Sequence, residues 1–312
     1  MRFVFLGVGG VGGYFASRLA QAGVDVAAVV RGAHREAIAK KGLRYTGFEN
    51  AEVRIQTFDH VKAAGTFDVL VLGLKCTDLE NALQSLEEHI SSNVTFVTLQ
   101  NGVDAEEICS GFFPKNEILG GVVYIDAKIL EPGVLEVTSP GRLALGKWGA
   151  ESSRSFQSIL DAFQKSDVQV SSAPDIRLTK WKKLSWNAVF NPLCLLTRLT
   201  VGEIRKQPSL ADLGHQISSE VMSVAQALGI RLAADYANRF FSAKDDQGSG
   251  ILHTRTSMWS DFVAGKPTEI DFLNGAVVRH GASRKVPTPI NQAIVTLVHA
   301  LETSRTGSES DL

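Results

Sequence analysis

Cysteine is scarce in this 312-residue chain: Cys76, Cys109 and Cys194 are the only three, far apart and without a Cys-x-x-Cys pair. That spacing argues against a disulfide framework or a zinc site and suits reduced thiols in the cytoplasm. The seven histidines form no His-Glu-x-x-His motif, so no metal is expected. Charge of one sign is also lacking. With 32 basic against 33 acidic residues there is no dominant field to draw nucleic acid. No uninterrupted apolar run reaches transmembrane length, and the apolar start RFVFLGVGGVGG continues into a glycine-rich segment with no signal-peptide cleavage site. Neither a membrane nor an export route is expected. Internal repeats and low-complexity stretches are absent.

What remains is the composition of a globular protein, 44% hydrophobic and 21% charged. The length predicts two compact units. In the first, short β-branched runs alternate with helical patterns, as a parallel sheet built from βαβ units requires. Strands are predicted at Arg2–Leu6, Asp25–Val30, Val69–Leu74, Thr95–Leu99 and Ile118–Tyr124, with a helix at Val11–Ala22 between the first two. Glycine-punctuated strands from Val134 to Trp148 read as an antiparallel edge of the same sheet, and Val168–Val170 as one more strand. After Pro174 the pattern turns helical: Lys180–Leu196, Leu210–Leu228, Ala234–Phe241, Ile251–Val263, Thr268–Ala282 and Pro289–Thr303. The expected division is therefore 1–173 and 174–312, with a polar tail, SRTGSESDL, expected to be disordered.

Gly7, Gly9 and Gly12 form Gly-x-Gly-x-x-Gly directly after the first strand and at the start of a helix. There the glycines permit a tight turn, close backbone approach to a pyrophosphate and tight helix packing, and the helix N-terminus offers amide donors to the phosphates. The loop residues Gly7, Val8, Gly9, Gly10, Val11 and Gly12 are thus candidate dinucleotide contacts in a Rossmann-type unit. At the end of the second strand, where an acidic residue would bind ribose hydroxyls, stands Arg31. A guanidinium there suits the 2′-phosphate of NADP(H), although a solvated arginine at a strand end is the plainer reading. His34 and Arg35 either assist it or belong to the surface.

Lys75 follows the apolar run VLVLGL at the carboxyl end of a buried strand, and Asn101 in TLQNGV occupies the equivalent place one strand later. Ligands gather at such ends in open α/β sheets, while loop capping explains the same residues equally well. Lys183, Asn187 and Asn191 recur at i, i+4 and i+8, which puts an ammonium and two amides in one stripe along a helix. Trp181, Leu184, Trp186, Val189, Phe190 and Leu193 leave little other polar circumference, so the stripe is expected to face a partly enclosed cleft rather than open water. Pro192, beside Asn191, is expected to kink or interrupt that helix. Hydride addition to a ketone builds alkoxide charge, which calls for a proton donor and a positive field, and a lysine supplies both. Ser257 and Glu269 bracket TSMWSDFVAGKPTEIDFLNG; on spacing alone Thr268 caps a helix and Glu269 sits in its first turn.

In order and spacing, GVGGVG, GLK with Lys75, LQNGV with Asn101, KWKKLSWNAVFNPL with Lys183, and TSMWSDFVAGKPTEIDFLNG resemble the ketopantoate reductase family over nearly the whole chain. The resemblance implies an α/β protein with an N-terminal Rossmann-type dinucleotide-binding domain and a mostly α-helical C-terminal domain like that of 6-phosphogluconate dehydrogenase. It implies NADPH-dependent reduction of 2-dehydropantoate to (R)-pantoate in pantothenate biosynthesis, the route to coenzyme A. Lys183 then matches the proton donor, and Asn187, Asn191 and Ser257 match positions that hold the substrate's hydroxyl or carboxylate. Asn101 and Lys75 match residues of the cofactor and reaction cleft, Glu269 an acidic residue close to cofactor and lysine, Ala127 a cofactor contact, and Arg31 the reader of the NADP phosphate. Val201 departs from the pattern, replacing a polar substrate contact found in some members.

Two other readings stay open. A helix-borne Lys-x-x-x-Asn pair also resembles 3-hydroxyacid dehydrogenases, which use the lysine as a base. A non-enzymatic NADP(H) sensor would need the dinucleotide loop but no proton donor. The expected partner is a small 2-keto acid, and a helical second domain is a surface through which a homodimer could form.

Overall fold

The computed structural model describes all residues except 87–88, 150–152, 242–249 and 307–312. It divides into two compact units, Met1–Thr179 and Lys180–Leu312. In the first, strands and helices follow in the order β1 (Arg2–Leu6), α1 (Gly10–Gln21), β2 (Asp25–Val29), α2 (Gly32–Lys41), β3 (Leu43–Gly47), β4 (Ala51–Val53), β5 (Gln56–Phe58), β6 (Val69–Leu72), α3 (Cys76–Gln84), β7 (Thr95–Thr98), α4 (Ala105–Phe112), β8 (Ile118–Tyr124), β9 (Ala127–Glu131), β10 (Val134–Val137), β11 (Arg142–Lys147), α5 (Phe156–Lys165) and β12 (Gln169–Ser172). The second unit is helical: α6 (Ile176–Thr197), which begins just before the division, then α7 (Val201–Lys206), α8 (Pro208–Ala227), α9 (Ser257–Val263), α10 (Asn274–Arg284) and α11 (Pro289–Thr306). The fold is thus α/β with a Rossmann-type first unit.

Eight strands form the main sheet in the order β12-β11-β8-β7-β6-β1-β2-β5, parallel throughout except for the antiparallel β8–β11 pair. Alternation along β1 explains why it lies at the centre. Phe3 and Phe5 enter one apolar layer with Phe15, Leu19 and Phe163, while Val4 enters the opposite layer with Leu70, Leu72 and Phe96. A strand buried on both faces needs apolar residues at consecutive positions, and a parallel sheet covered by helices supplies both layers. Chain order reverses beside β1, since β2 lies on one side and β6 on the other. The crevice at their carboxyl ends is the topological switch point, the usual ligand position in such sheets.

The region from Val134 to Trp148 corrects the expectation of a single sheet edge. β11 does join the main sheet, but β10 belongs to a second, four-stranded sheet of order β4-β3-β10-β9. There β10 pairs parallel to β3 and antiparallel to β9. The cause lies in α1, whose outer face takes this second sheet: a Cβ on Gly13 would stand 2.6 Å from Leu135 Cδ1 of β10. Past β10 the Tyr14 hydroxyl of the same helix accepts the Gly141 N–H at 3.1 Å.

Three helical expectations also change. Ala234–Phe241 is a 3-10 segment over Tyr236–Phe241, Ile251–Val263 is a 3-10 turn at Gly250–His253 followed by α9, and Thr268–Ala282 is a 3-10 turn at Ile270–Phe272 followed by α10. The tail expected to be disordered begins inside α11, which reaches Thr306, and its last six residues lie outside the described ones.

Candidate functional site

Gly7 adopts φ +90°, and its amide donates to the Val29 carbonyl at 3.0 Å, turning the chain sharply out of β1. Only glycine takes that conformation without strain. Gly12 and Gly73 close the crevice: a Cβ on Gly12 would lie 2.3 Å from the Gly7 carbonyl oxygen, and one on Gly73 2.4 Å from the same atom. The loop after β1 and the loop after β6 therefore touch backbone to backbone, which brings the chain at Leu74 and Lys75 against the glycine loop. Gly9 differs from these. Nothing lies within 4 Å of the position its Cβ would take, so the fold itself leaves that space open.

The start of α1 completes the cradle. Gly9 caps it without a side-chain hydrogen bond, no acidic residue stands in its first turn, and the Gly13 N–H to Gly9 carbonyl bond, 2.8 Å, is its first. Amides of the first turn have no intrahelical acceptor, and together with the helix dipole they favour an anion. Gly10 serves packing too: its Cβ would fall 2.2 Å from the Ala127 carbonyl oxygen, so β9 starts directly against the helix N-terminus and Ala127 belongs to the rim of the cradle. His34 reaches the same loop from α2, with Nε2 3.0 Å from the Val8 carbonyl oxygen and Nδ1 accepting the Gly133 N–H at 2.9 Å. In sequence it read as an assistant to Arg31 or a surface residue; its partners show instead that it braces the loop.

Arg31 is exposed and is the N-cap of α2, whose first turn holds no acidic residue. β2, which leads to it, neighbours β1, so the guanidinium stands beyond the strand adjacent to the glycine loop. These residues fit a dinucleotide: an open cradle over Gly9, an unblocked helix N-terminus and a cation beyond the second strand.

Lys75, half-buried, is the N-cap of α3, and Asn101 follows β7. Gln100 joins the two places. Its side-chain Nε2 donates to the carbonyls of Leu72 at 2.9 Å and Leu74 at 3.0 Å, crossing from the end of β7 to the chain leaving β6. The Cys76 thiol donates to the Asn101 carbonyl at 3.1 Å. This role of Gln100 is not legible in TLQNGV, because no sequence pattern tells which way a glutamine amide points.

In the second unit α6 runs unbroken from Ile176 to Thr197 with Pro192 inside, so of the kink or interruption expected beside Asn191 the interruption does not occur. Continuity keeps Lys183, Asn187 and Asn191 in one stripe. The two asparagines are only 5% and 4% exposed, and Lys183 is half-buried. An open, wet helix face would not bury two amides to that extent. Ser257 is exposed at the first turn of α9, and the hydroxyl of its N-cap, Thr256, lies 3.5 Å from the Asn191 carbonyl oxygen. Glu269 is half-buried and precedes the 3-10 turn at Ile270–Phe272, which replaces the longer helix expected there. Val201 is 1% exposed at the start of α7, packed as an apolar residue.

Cys76, Cys109 and Cys194 are buried, and none forms a disulfide. Burial pushes the Cys194 thiol up to about 11, and raises the Cys109 thiol further, with Glu106 adding to it. Among the described residues no cluster of three or more His, Cys, Asp or Glu could hold a metal, and no helix is long and apolar enough to cross a membrane.

A dinucleotide cradle at the switch point of a parallel sheet, followed by a helical unit bearing a lysine–asparagine stripe, defines a nicotinamide-type oxidoreductase architecture. Residues 3–150 match the family model described as ketopantoate reductase PanE/ApbA, and residues 175–302 match the model of that family's C-terminal part. The chain belongs to the ketopantoate reductase family. It is 29% identical to 2-dehydropantoate 2-reductase of Mesorhizobium japonicum, covering 98% of this chain and 99% of the relative. With the enzyme of the same name from Archaeoglobus fulgidus it shares 28% identity over 96% and 98%. Among solved structures, a PanE/ApbA family ketopantoate reductase from Ralstonia eutropha superposes with a TM-score of 0.89 at 25% identity, covering 98% of this chain and all of the other. D-mandelate dehydrogenase with NADH and anilino(oxo)acetate superposes with the same score and identity over 97% and 99%.

Proposed function

We propose that this protein reduces 2-dehydropantoate to (R)-pantoate with NADPH, in the cytoplasm and within pantothenate biosynthesis, and that Lys183 donates the proton. The observation that carries the reading is the burial of Asn187 and Asn191, 5% and 4% exposed, in one stripe with Lys183. A buried amide needs a partner, and a stripe of two beside an ammonium suits an oxygen-rich anion.

NADPH, when bound, supplies the hydride that adds to the carbonyl carbon. The carbonyl π pair then moves onto oxygen, and the Lys183 ammonium releases a proton to that oxygen, breaking N–H as O–H forms. Its charge opposes the developing alkoxide before transfer, so the lysine acts both electrostatically and as an acid. The amine regains its proton from water. Asn187 and Asn191 hold hydroxyl or carboxylate oxygens without adding a competing charge, and Ser257 and Asn101 do the same from other segments. Lys75 and Ala127 are assigned to the cofactor, Glu269 to the acidic position of the family's pattern, and Arg31 to the 2′-phosphate, an assignment that favours NADPH over NADH.

A second reading keeps the chemistry and changes the ligands. D-mandelate dehydrogenase is as similar in fold as the Ralstonia reductase, and its structures carry NADH. One experiment separates the two: loss of NADPH or NADH absorbance with a panel of 2-keto acids that includes 2-dehydropantoate and phenylglyoxylate. The proposal requires 2-dehydropantoate with NADPH to give the highest kcat/KM. Phenylglyoxylate in first place moves the assignment to the aryl acids, and no turnover with any member leaves a dinucleotide sensor.

A further inference from the structure

Pro192 lies inside α6. A prolyl nitrogen carries no hydrogen, so the carbonyl four residues earlier, that of Ala188, loses the donor that an α-helix assigns to it. Ala188 has no exposed surface, and a buried carbonyl without a donor is costly. The missing donor comes from another helix. Asn274, the first residue of α10, gives one amide hydrogen to the Ala188 carbonyl at 2.9 Å and the other to Asn291 Oδ1, also at 2.9 Å. Asn291 in turn donates to Glu220 Oε2 at 2.7 Å, and the Glu220 carboxylate accepts the backbone N–H groups of Ile290 and Asn291, each at 2.9 Å. Asn274 and Asn291 have no exposed surface.

This chain of bonds runs from α8 and the first turn of α11, through α10, to one peptide unit of α6. That unit is not an arbitrary one. Ala188 directly follows Asn187, and the proline that frees its carbonyl directly follows Asn191. A proline ring also crowds the carbonyl four residues back, so where that carbonyl settles is set by what binds it. We propose that Asn274 stands in for the amide that Pro192 lacks and is thereby a positioning residue for the Lys183–Asn187–Asn191 stripe. The inference rests on the role given to that stripe above. It explains how α6 stays continuous through Pro192.

The test is a cycle of four proteins: wild type, N274A, P192A and P192A/N274A. Pro192→Ala restores a backbone N–H for Ala188, so it should make Asn274 partly dispensable. We expect N274A to lower kcat about tenfold, as small misplacement of reacting groups does, with KM for NADPH within about twofold. In the P192A background the same change should lower kcat less than about threefold, and its effect on Tm should shrink in parallel. Equal losses of kcat in both backgrounds would mean that Asn274 acts elsewhere, through Asn291, and would overturn the proposal. A lowered Tm with wild-type kcat would reduce Asn274 to a purely structural residue, with the same consequence. If N274A does not accumulate as folded protein, the milder N274S carries the same cycle. A wild-type enzyme inert toward every 2-keto acid would remove the role of Lys183 and the positioning role with it, while the Tm cycle would still report whether Asn274 replaces the missing donor.

Discussion

His34 holds the Val8 carbonyl at 3.0 Å through Nε2 while its Nδ1 accepts the Gly133 N–H, so the proton of the neutral ring resides on Nε2 and points at the glycine loop. His34→Ala should remove this brace. Each lost, partly buried hydrogen bond is worth about 1 kcal/mol, so NADPH affinity should fall several-fold while kcat at saturating cofactor stays within about twofold. Calorimetric titration with NADPH measures it. An unchanged Kd would show that the loop keeps its form without the imidazole.

The glycines of the loop should separate by role. Gly12→Ala forces a Cβ to within 2.3 Å of the Gly7 carbonyl and should lower Tm even without ligand. Gly9→Ala meets nothing within 4 Å in the protein, so Tm of the apoprotein should hold, while NADPH binding should weaken by about tenfold or more if, as proposed, the pyrophosphate takes that space. Thermal unfolding with and without NADPH reads both effects. A G9A protein as strongly stabilised by NADPH as wild type would remove the cradle from the cofactor site.

Gln100→Leu keeps the volume but takes the side-chain amide donor from the Leu72 and Leu74 carbonyls, leaving Leu72 only the Leu99 N–H at 3.2 Å. It should destabilise the protein by about 1–3 kcal/mol and lower kcat/KM, since the segment before Lys75 loses its tie to β7. Gln100→Glu should fare no better, a carboxylate having no N–H to offer. Activity near wild type in Q100E would refute the clamp.

For Arg31→Ala, NADPH should bind about 10- to 100-fold more weakly, with NADH affected far less, because a guanidinium–phosphate contact is lost only with the phosphorylated cofactor. Parallel KM measurements decide it, and equal weakening of both cofactors would exclude the phosphate contact.

Lys183→Ala should reduce kcat by about 10²- to 10⁴-fold, the usual worth of a positioned proton donor, while NADPH affinity stays within a few fold. Single-turnover measurement of NADPH oxidation is the direct readout. Undiminished turnover would exclude Lys183 from the chemistry.

Much of this was legible in the residues themselves. Periodicity located β1, β2, β6, β7 and β8 almost to the residue, because strands buried on both faces leave unmistakable apolar runs. The Gly-x-Gly-x-x-Gly loop and the i, i+4, i+8 stripe were equally plain, since both depend on local spacing. The short second sheet was not foreseen: its strands are three to five residues long, and β10 pairs with β3 across some ninety residues of chain. Nor did the sequence reveal what His34 and Gln100 do.

The amino-acid order by itself determined the parallel core, the dinucleotide loop and the face on which Lys183, Asn187 and Asn191 lie. Each follows from backbone geometry acting over a few residues. Tertiary structure alone decided that α6 passes through Pro192 unbroken, because the donor that makes this possible, the Asn274 amide, comes from 86 residues farther along the chain. A local rule predicts the loss of a hydrogen bond; only packing brings the residue that replaces it.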